Sequence, residues 1–155
     1  MISIPTAEDM DAFGARVARL VRPGDIVCLT GELGAGKTTF TRGFGRELRV
    51  RGTVTSPTFV VARTHPREGA APFVHIDAYR LQSAAELEDL DIDWENVISV
   101  VEWGHGMLDT IAEEWLEIVI DRTLTDEDET RTVTLHAVGP RGNELAEALG
   151  RGEDA

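Results

Sequence analysis

Four apolar residues near the start of the chain recur at the spacing of one helix face. They are Phe13, Val17, Leu20 and Val21. This period predicts an amphipathic helix over residues 7–21. Thr6 precedes the helix and the acidic Asp9 follows three positions later, as in an N-terminal capping box. Further along, a second apolar period predicts a helix from about Gly36 to Leu48.

Short apolar runs bounded by turn residues predict the strands. They are Ile26–Thr30, Val54–Val61, Phe73–Ile76, Val97–Val101, Leu116–Ile120 and Thr132–Val138. The fourth run is rich in β-branched residues and ends at Glu102, which is typical of a strand buried on both faces. Residues 66–70 are expected to join 59–64 to 73–77 as an antiparallel pair. The acidic segment 125–130 is expected to turn between the last two strands.

Two more helices are predicted in the second half of the chain. The segment Ser83-Ala84-Ala85-Glu86 has the spacing of a capping box, which predicts a short helix to about Leu90. Asn143 is expected to cap a last helix that runs through Leu149.

The composition is that of a globular domain. The chain has 155 residues, of which 42% are apolar and 28% are charged. Since no repeat or linker interrupts the pattern, we expect a single domain over residues 1–150 and a frayed tail over residues 151–155. The single cysteine, the lack of a recognisable secretory signal and the shortness of every apolar run predict a reduced, cytoplasmic protein without a membrane segment.

Acidic residues are concentrated in the second half of the chain. The net charge is −13, and residues 86–129 hold sixteen Asp and Glu against one Arg. A phosphate backbone repels such a chain, so we expect any contact with nucleic acid to be indirect. The acidic region is either a solvated surface or a docking face for a basic partner, and the sequence leaves both interpretations open.

Residues 31–38 carry the strongest chemical signal. The segment Gly31-Glu32-Leu33-Gly34-Ala35-Gly36-Lys37-Thr38 matches G-x-x-x-x-G-K-[ST], the phosphate-binding P-loop. Its glycines let backbone N–H groups approach a phosphate, and the helix that follows adds the positive end of its dipole. Lys37 is the chain's single lysine among fifteen basic residues. A compact ammonium at this position can reach the β- and γ-phosphates, and the Thr38 hydroxyl can bind Mg²⁺.

The surroundings of this motif predict the fold class. A predicted strand precedes it and a predicted helix follows it, which is the arrangement that a P-loop requires. We therefore expect an α/β fold, a three-layer P-loop NTPase-like sandwich whose central sheet is mostly parallel, with antiparallel hairpin additions.

Two acids at the ends of predicted strands are candidates to organise Mg²⁺ and water. Asp77 and Glu102 each follow an apolar run, and α/β proteins bind ligands at the carboxyl ends of parallel strands. Residues 55–58 lie where P-loop proteins often keep a switch segment. An Asn-Lys-x-Asp segment, and an Asp-x-x-Gly segment downstream of the P-loop, are both missing, which argues against a Ras-like GTPase. The lack of Leu-Ser-Gly-Gly argues against a transporter ATPase.

Four segments together resemble the TsaE (also called YjeE) family. They are Gly31-Glu32-Leu33-Gly34-Ala35-Gly36-Lys37-Thr38-Thr39-Phe40, Ser56-Pro57-Thr58-Phe59, His75-Ile76-Asp77-Ala78-Tyr79-Arg80-Leu81 and Val101-Glu102-Trp103. The resemblance implies a P-loop α/β sandwich that hydrolyses ATP slowly and serves tRNA threonylcarbamoyladenosine synthesis. It also implies two partners, TsaD and TsaB, which transfer the threonylcarbamoyl group, so that tRNA is reached only through their complex.

The resemblance implies roles for single residues as well. The nucleotide-binding residues would be Leu33, Gly34, Ala35, Gly36, Lys37, Thr38, Thr39, Thr58 and Trp103. Lys37, Asp77 and Glu102 would act in catalysis, and Thr38 and Glu102 would be the Mg²⁺ ligands. Thr58 would be a switch residue. The segment around Thr6 would contact the adenine, and a loop acid often found in relatives is missing near His105.

Two other functions fit the P-loop alone. A small-molecule kinase would use the same loop to transfer the γ-phosphoryl group to a nucleoside or a sugar. A nucleotide-state-dependent binding module would use ATP as a ligand, with incidental turnover.

Overall fold

The chain folds around one mixed sheet. This computed structural model describes residues 1–32, 34–50, 52, 54, 61–122 and 130–152. The strands are β1 (Ile2–Ile4), β2 (Ile26–Thr30), β3 (Ala62–Arg67), β4 (Ala70–Asp77), β5 (Ile98–Glu102), β6 (Trp115–Arg122) and β7 (Arg131–Val138). The helices are α1 (Ala7–Leu20), α2 (Lys37–Leu48), α3 (Ala84–Glu88) and α4 (Gly139–Gly152). Short 3-10 turns cover Ala78–Arg80, Trp94–Asn96 and Leu108–Thr110.

The strand order places the parallel strands at the centre of the sheet. In the described part of the chain the order is β1-β7-β6-β2-β5-β4-β3. Strands β4, β5, β2 and β6 run parallel to one another. Strands β1, β7 and β3 are antiparallel to their neighbours. This arrangement confirms the predicted fold class, a mostly parallel sheet with antiparallel hairpin additions.

Helical segments cover both faces of the sheet. On one face Phe44 of α2 packs on Phe73 of β4, with the ring centroids 5.2 Å apart. On the other face Leu87 of α3 and Leu108 of a 3-10 turn pack in a second apolar cluster with Ile76. The result is a three-layer structure. None of the described helices combines the length and the apolar character needed to cross a bilayer.

Helices α1 and α2 approach each other through two glycines. A Cβ atom on Gly14 would lie 2.1 Å from the carbonyl oxygen of Phe40. A Cβ atom on Gly43 would lie 2.0 Å from the carbonyl oxygen of Asp11. These distances leave no room for a side chain, so the two backbones pack directly against each other. The contact fixes α2, and with it the loop that precedes α2.

The last two helices differ from their predicted bounds. Helix α4 begins at Gly139, ahead of the predicted cap Asn143. The proline that follows Gly139 explains this start, because its fixed φ suits the first turn of a helix. Helix α3 ends at Glu88 rather than Leu90, and Ser83 makes no side-chain capping bond. Helix α4 runs to Gly152, beyond the predicted end at Leu149, so it includes Arg151 and Gly152 of the predicted tail. Residues 153–155 lie outside the described residues, so fraying there stays a prediction.

The predicted antiparallel pair is confirmed as the hairpin of β3 and β4. Its turn is residues 68–69, shorter than the predicted 66–70. Pro66 belongs to β3 and lies at a register irregularity between His65 and Arg67. An edge strand tolerates the missing N–H of proline at such a position.

Two predicted segments fall largely outside the described residues. In the strand predicted over 54–61, residues 55–60 are not described, and Val54 and Val61 lie outside any strand. The strand of this region begins at Ala62. Of the turn predicted at 125–130 only the last residue is described, but β6 and β7 form the predicted hairpin.

Candidate nucleotide-binding site

The loop between β2 and α2 contains two glycines with left-handed backbone. Gly34 has a φ of 81° and Gly36 a φ of 118°, and glycine adopts such values without steric cost. Gly36 is the N-cap of α2. The first N–H groups of a helix have no partner within the helix, so those of α2 are available beside the loop. Together with the helix dipole they form a site for an anion.

A cavity of ≈ 610 Å³ lies beside this loop. It is bounded by the loop, the start of α2 and the segments that follow β4 and β5. Its lining side chains are Glu32, Lys37, Thr38, Thr39, Asp77, Tyr79, Glu102 and Trp103. The volume falls within the range of small-molecule sites, about 300–1,000 Å³.

Lys37 is buried at the base of this cavity, with 7% of the residue exposed. Its ammonium donates a hydrogen bond to the carbonyl oxygen of Gly31. The ammonium also lies 4.1 Å from the centroid of the Trp103 ring. Burial lowers the pKa of Lys37, and attraction to Glu102 and Asp77 partly offsets that shift. The site therefore holds a cation that gains from an anionic ligand.

The two candidate acids end neighbouring parallel strands. Asp77 of β4 is the direct register partner of Glu102 of β5, so both carboxylates point to the same face of the sheet. That face carries α2 and Lys37. Glu102 is 4% exposed, and Asp77 accepts a hydrogen bond from the backbone N–H of Tyr79 at 3.0 Å. Carboxylate side chains, the Thr38 hydroxyl and the Lys37 ammonium thus line one cavity at the start of α2.

These residues lie in a sequence stretch shared with known proteins. Residues 4–133 match the family described as threonylcarbamoyl adenosine biosynthesis protein TsaE. The chain belongs to the TsaE family. The tRNA threonylcarbamoyladenosine biosynthesis protein TsaE of Streptomyces coelicolor is 53% identical over 137 residues, which cover 85% of this chain and 93% of that protein. The protein of the same name from Bacillus subtilis is 40% identical over 147 residues, covering 93% and 89%.

A solved structure has the same fold. The crystal structure of YdiB from Bacillus subtilis matches with a TM-score of 0.75 at 32% identity, covering 98% of this chain and 94% of that chain. The resemblance to the TsaE family is therefore confirmed, and the predicted P-loop and ATP-binding character is consistent with this family and fold.

Most of the residues to which the TsaE resemblance gives a role line the cavity of ≈ 610 Å³. Ala35 lies instead at a smaller neighbouring cavity of ≈ 130 Å³, which Thr6 and Arg131 also line. Leu33 and Thr58 lie outside the described residues. The geometry brings the others together, and their roles in binding and catalysis stay predictions.

Trp103 has an unusual backbone for a bulky residue. Its φ is 62°, a left-handed value that costs free energy for any residue with a large side chain. Its backbone N–H donates to the carbonyl oxygen of Leu29 at 3.0 Å. Its ring lies 5.3 Å from the ring of Tyr79, which is 69% exposed. The fold thus holds Trp103 in a strained conformation between Lys37 and the cavity mouth.

Three contacts of buried acids were not predicted from the sequence. Glu102 is bonded to Nε2 of His75 at 2.6 Å. Glu117 of β6 accepts a hydrogen bond from the Thr30 hydroxyl at 2.7 Å and contacts Nδ1 of His105 at 2.9 Å. Glu117 interrupts an apolar run, and a carboxylate within such a run indicates a buried polar partner. The contact between His105 and Glu117 ties the loop after β5 to strand β6.

Proposed function

We propose that this TsaE-family protein binds Mg·ATP in the cavity and hydrolyses it slowly. We further propose that it assists TsaD and TsaB proteins in tRNA threonylcarbamoyladenosine modification. The ATPase activity is proposed on one observation. Four side chains line one cavity beside a helix N-terminus, namely those of Lys37, Thr38, Asp77 and Glu102. Membership of the TsaE family supports the pathway part.

The loop and Lys37 would hold the phosphates. The present partners of the Lys37 ammonium are a neutral carbonyl and an aromatic face. Phosphate oxygens bind an ammonium more strongly, because both groups are charged. Since burial lowers the pKa of Lys37, an anion at this position also favours its charged form. Exchange of these weak partners for the β- and γ-phosphates is therefore favourable.

The oxygen ligands at the cavity fit a Mg²⁺ ion that arrives with the nucleotide. Thr38 supplies a hydroxyl, and Glu102 supplies a carboxylate. Among the described residues no three His, Cys, Asp or Glu side chains form a group that holds a metal ion. Mg²⁺ commonly takes one or two protein ligands and completes its octahedron with water and phosphate oxygens. When bound, it neutralises charge on the β- and γ-phosphates.

Asp77 would hold the attacking water or a metal-bound water. Lys37 is the one cation among the described lining residues of this cavity. Many P-loop NTPases need a second cation, often an arginine from a partner, to reach fast turnover. We therefore expect slow hydrolysis by the isolated protein and stimulation by partners.

The charge distribution supports action through protein partners. The chain carries a net charge of −13, which disfavours direct contact with tRNA. Tyr79, exposed at the cavity mouth, offers an aromatic contact of the kind that is enriched in protein interfaces. Contact there would couple the nucleotide site to the partner complex.

ATP hydrolysis measured with and without TsaB–TsaD and tRNA tests this proposal. We expect slow basal turnover and stimulation by the assembled complex. Phosphorylation of an added nucleoside or sugar, faster than the loss of ATP to water, would instead identify a small-molecule kinase. Partner capture that needs ATP, together with full pathway activity in a hydrolysis-deficient variant, would identify a nucleotide-state-dependent binding module.

A further inference from the structure

His75 is buried in the core directly behind the candidate nucleotide site. The residue is 1% exposed, and its ring stacks on Phe73 with centroids 6.0 Å apart and an interplanar angle of 16°. Its Nδ1 atom has no hydrogen-bond partner among the described residues. Its Nε2 atom lies 2.6 Å from Oε2 of Glu102. Within the described structure, the polar contact of this ring is therefore directed to Glu102.

The direction of this hydrogen bond follows from the chemistry of the two groups. A carboxylate that binds Mg²⁺ accepts hydrogen bonds and donates none, so a Glu102 that acts as a metal ligand requires the hydrogen on Nε2 of His75. If this position served packing alone, an apolar side chain would suit it better, because burying an unpaired polar atom costs free energy.

Strand register brings the two side chains together. His75 of β4 is the register partner of Val100 on β5, and Glu102 lies two residues further along β5. Since side chains two residues apart share a face of a sheet, His75 lies behind Glu102 on the side that carries Lys37. Glu102 Oε1 has no hydrogen bond from another described residue, so one carboxylate oxygen is held and the other is available.

We propose that His75 is a positioning residue for Glu102. The bond from Nε2 fixes Oε2 and leaves Oε1 to coordinate the Mg²⁺ of the bound nucleotide. Glutamate has a flexible side chain, and ordering it during folding removes that entropic cost from metal binding. Contacts that orient a metal ligand in this way commonly change metal affinity. The inference rests on the proposed function, because it requires a cation at Glu102.

Two substitutions separate this role from simple packing. H75L fills the position with an apolar side chain of similar volume and removes the hydrogen-bond donor to Glu102. H75Q also disturbs the ring stacking, but its amide nitrogen can replace Nε2 as donor to Glu102. Electron paramagnetic resonance of Mn²⁺, titrated in the presence of a non-hydrolysable ATP analogue, reports cation affinity without catalysis. Nucleotide affinity in excess EDTA reports the phosphate site alone.

We expect H75L to weaken Mn²⁺ binding by about 10-fold or more, and H75Q to restore most of that loss. Nucleotide affinity in EDTA should stay at the wild-type value in both variants, whose folding is checked by thermal melting. Mn²⁺ affinity at the wild-type level in folded H75L overturns the inference. Equal losses in H75L and H75Q, or a loss of nucleotide affinity in EDTA, overturn it as well.

The wild-type protein provides a second measurement if either variant fails to fold. Nitrogen-15 NMR of the imidazole rings should show the His75 hydrogen on Nε2, with a resonance that moves when Mg²⁺ joins the nucleotide complex. A hydrogen on Nδ1 alone, or an Nε2–H resonance that Mg²⁺ leaves unchanged, overturns the inference. A wild-type protein that binds no Mn²⁺ with nucleotide contradicts the proposed function and this inference together. Wild-type Mn²⁺ binding that H75L preserves overturns this inference alone.

Discussion

The ammonium of Lys37 lies 4.1 Å from the centroid of the Trp103 ring. This contact joins the start of α2 to the loop after β5, the two segments that would enclose the phosphates. Trp103 is held there with a strained backbone, so its position is set by the fold rather than by local preference. The Trp103 ring and the Gly31 carbonyl oxygen are the contacts of the ammonium in this structure, and phosphate oxygens would be stronger partners.

The first prediction concerns this aromatic contact. Mg·ATP should draw the Lys37 ammonium from the Trp103 ring to the phosphates and thereby change the tryptophan fluorescence of the protein. Trp103→Phe should abolish most of the change. Trp94→Phe is the control, because Trp94 lines a separate cavity with Trp115 at the opposite ends of the strands. A fluorescence response that survives in Trp103→Phe and disappears in Trp94→Phe would refute the prediction.

The second prediction concerns the two acids. Glu102→Ala should lower ATP hydrolysis by about 100-fold or more, the scale on which single groups that stabilise transition-state charge act. Nucleotide binding in EDTA should persist, because the loop and Lys37 hold the phosphates. Asp77→Asn should also slow hydrolysis. The exposed Glu88 provides a matched control, and Glu88→Ala should hydrolyse ATP at the wild-type rate. Wild-type turnover in Glu102→Ala would exclude the assigned role.

The third prediction concerns the packing of α1 on α2. Alanine favours helices over glycine, yet Gly43→Ala should lower the free energy of unfolding by about 1–3 kcal/mol or more. The reason is that its Cβ atom would meet the Asp11 carbonyl oxygen at 2.0 Å. Gly150→Ala in α4 is the matched control, with no atom within 4 Å of its Cβ, and should stabilise by about 0.5–1 kcal/mol. Urea denaturation measures both values, and equal effects would refute the packing argument.

The fourth prediction concerns the buried imidazole of His65. Burial lowers its pKa below the ordinary 6.5, and the neighbouring His75 and Arg63 lower it further. Below pH 6.5 the unfolded chain therefore binds more protons here than the folded one, and the folded protein should lose stability as the pH falls. Between pH 7 and 5, His65→Leu should show a weaker fall of melting temperature than the wild type. His136→Gln, a change at an exposed histidine, should keep the wild-type slope, and an unchanged slope in His65→Leu would contradict the prediction.

Local patterns predicted the elements that lie around the P-loop. Strand β2 and helix α2 have the boundaries that periodicity and the glycine-rich loop indicated. The shared position of Asp77 and Glu102 also followed, because the ends of parallel strands meet at one edge of a sheet. Strand β1 was not predicted, since its three residues form a strand only through pairing with β7.

Contacts between strands that are distant along the chain could not be predicted from the sequence. The bond between His75 and Glu102 depends on β4 and β5 being neighbours in a given register. The bond between Glu117 and Thr30 depends on β6 lying beside β2. Neither neighbour relation is encoded in local periodicity. The start of α4, in contrast, could have been predicted from local sequence. The Gly139-Pro140 pair is a helix start signal, but Asn143 was predicted as the cap instead.

Isothermal titration of Mg·ATP into the folded protein decides whether Lys37 and the loop before α2 bind the nucleotide. We expect saturable heat for the wild type and for Arg42→Ala, which removes an exposed charge from the same helix. We expect no binding heat for folded Lys37→Ala, because the loop then lacks its ammonium. Absence of heat from the well-folded wild type, or binding by Lys37→Ala at the wild-type affinity, would show that Lys37 and this loop do not form a nucleotide site.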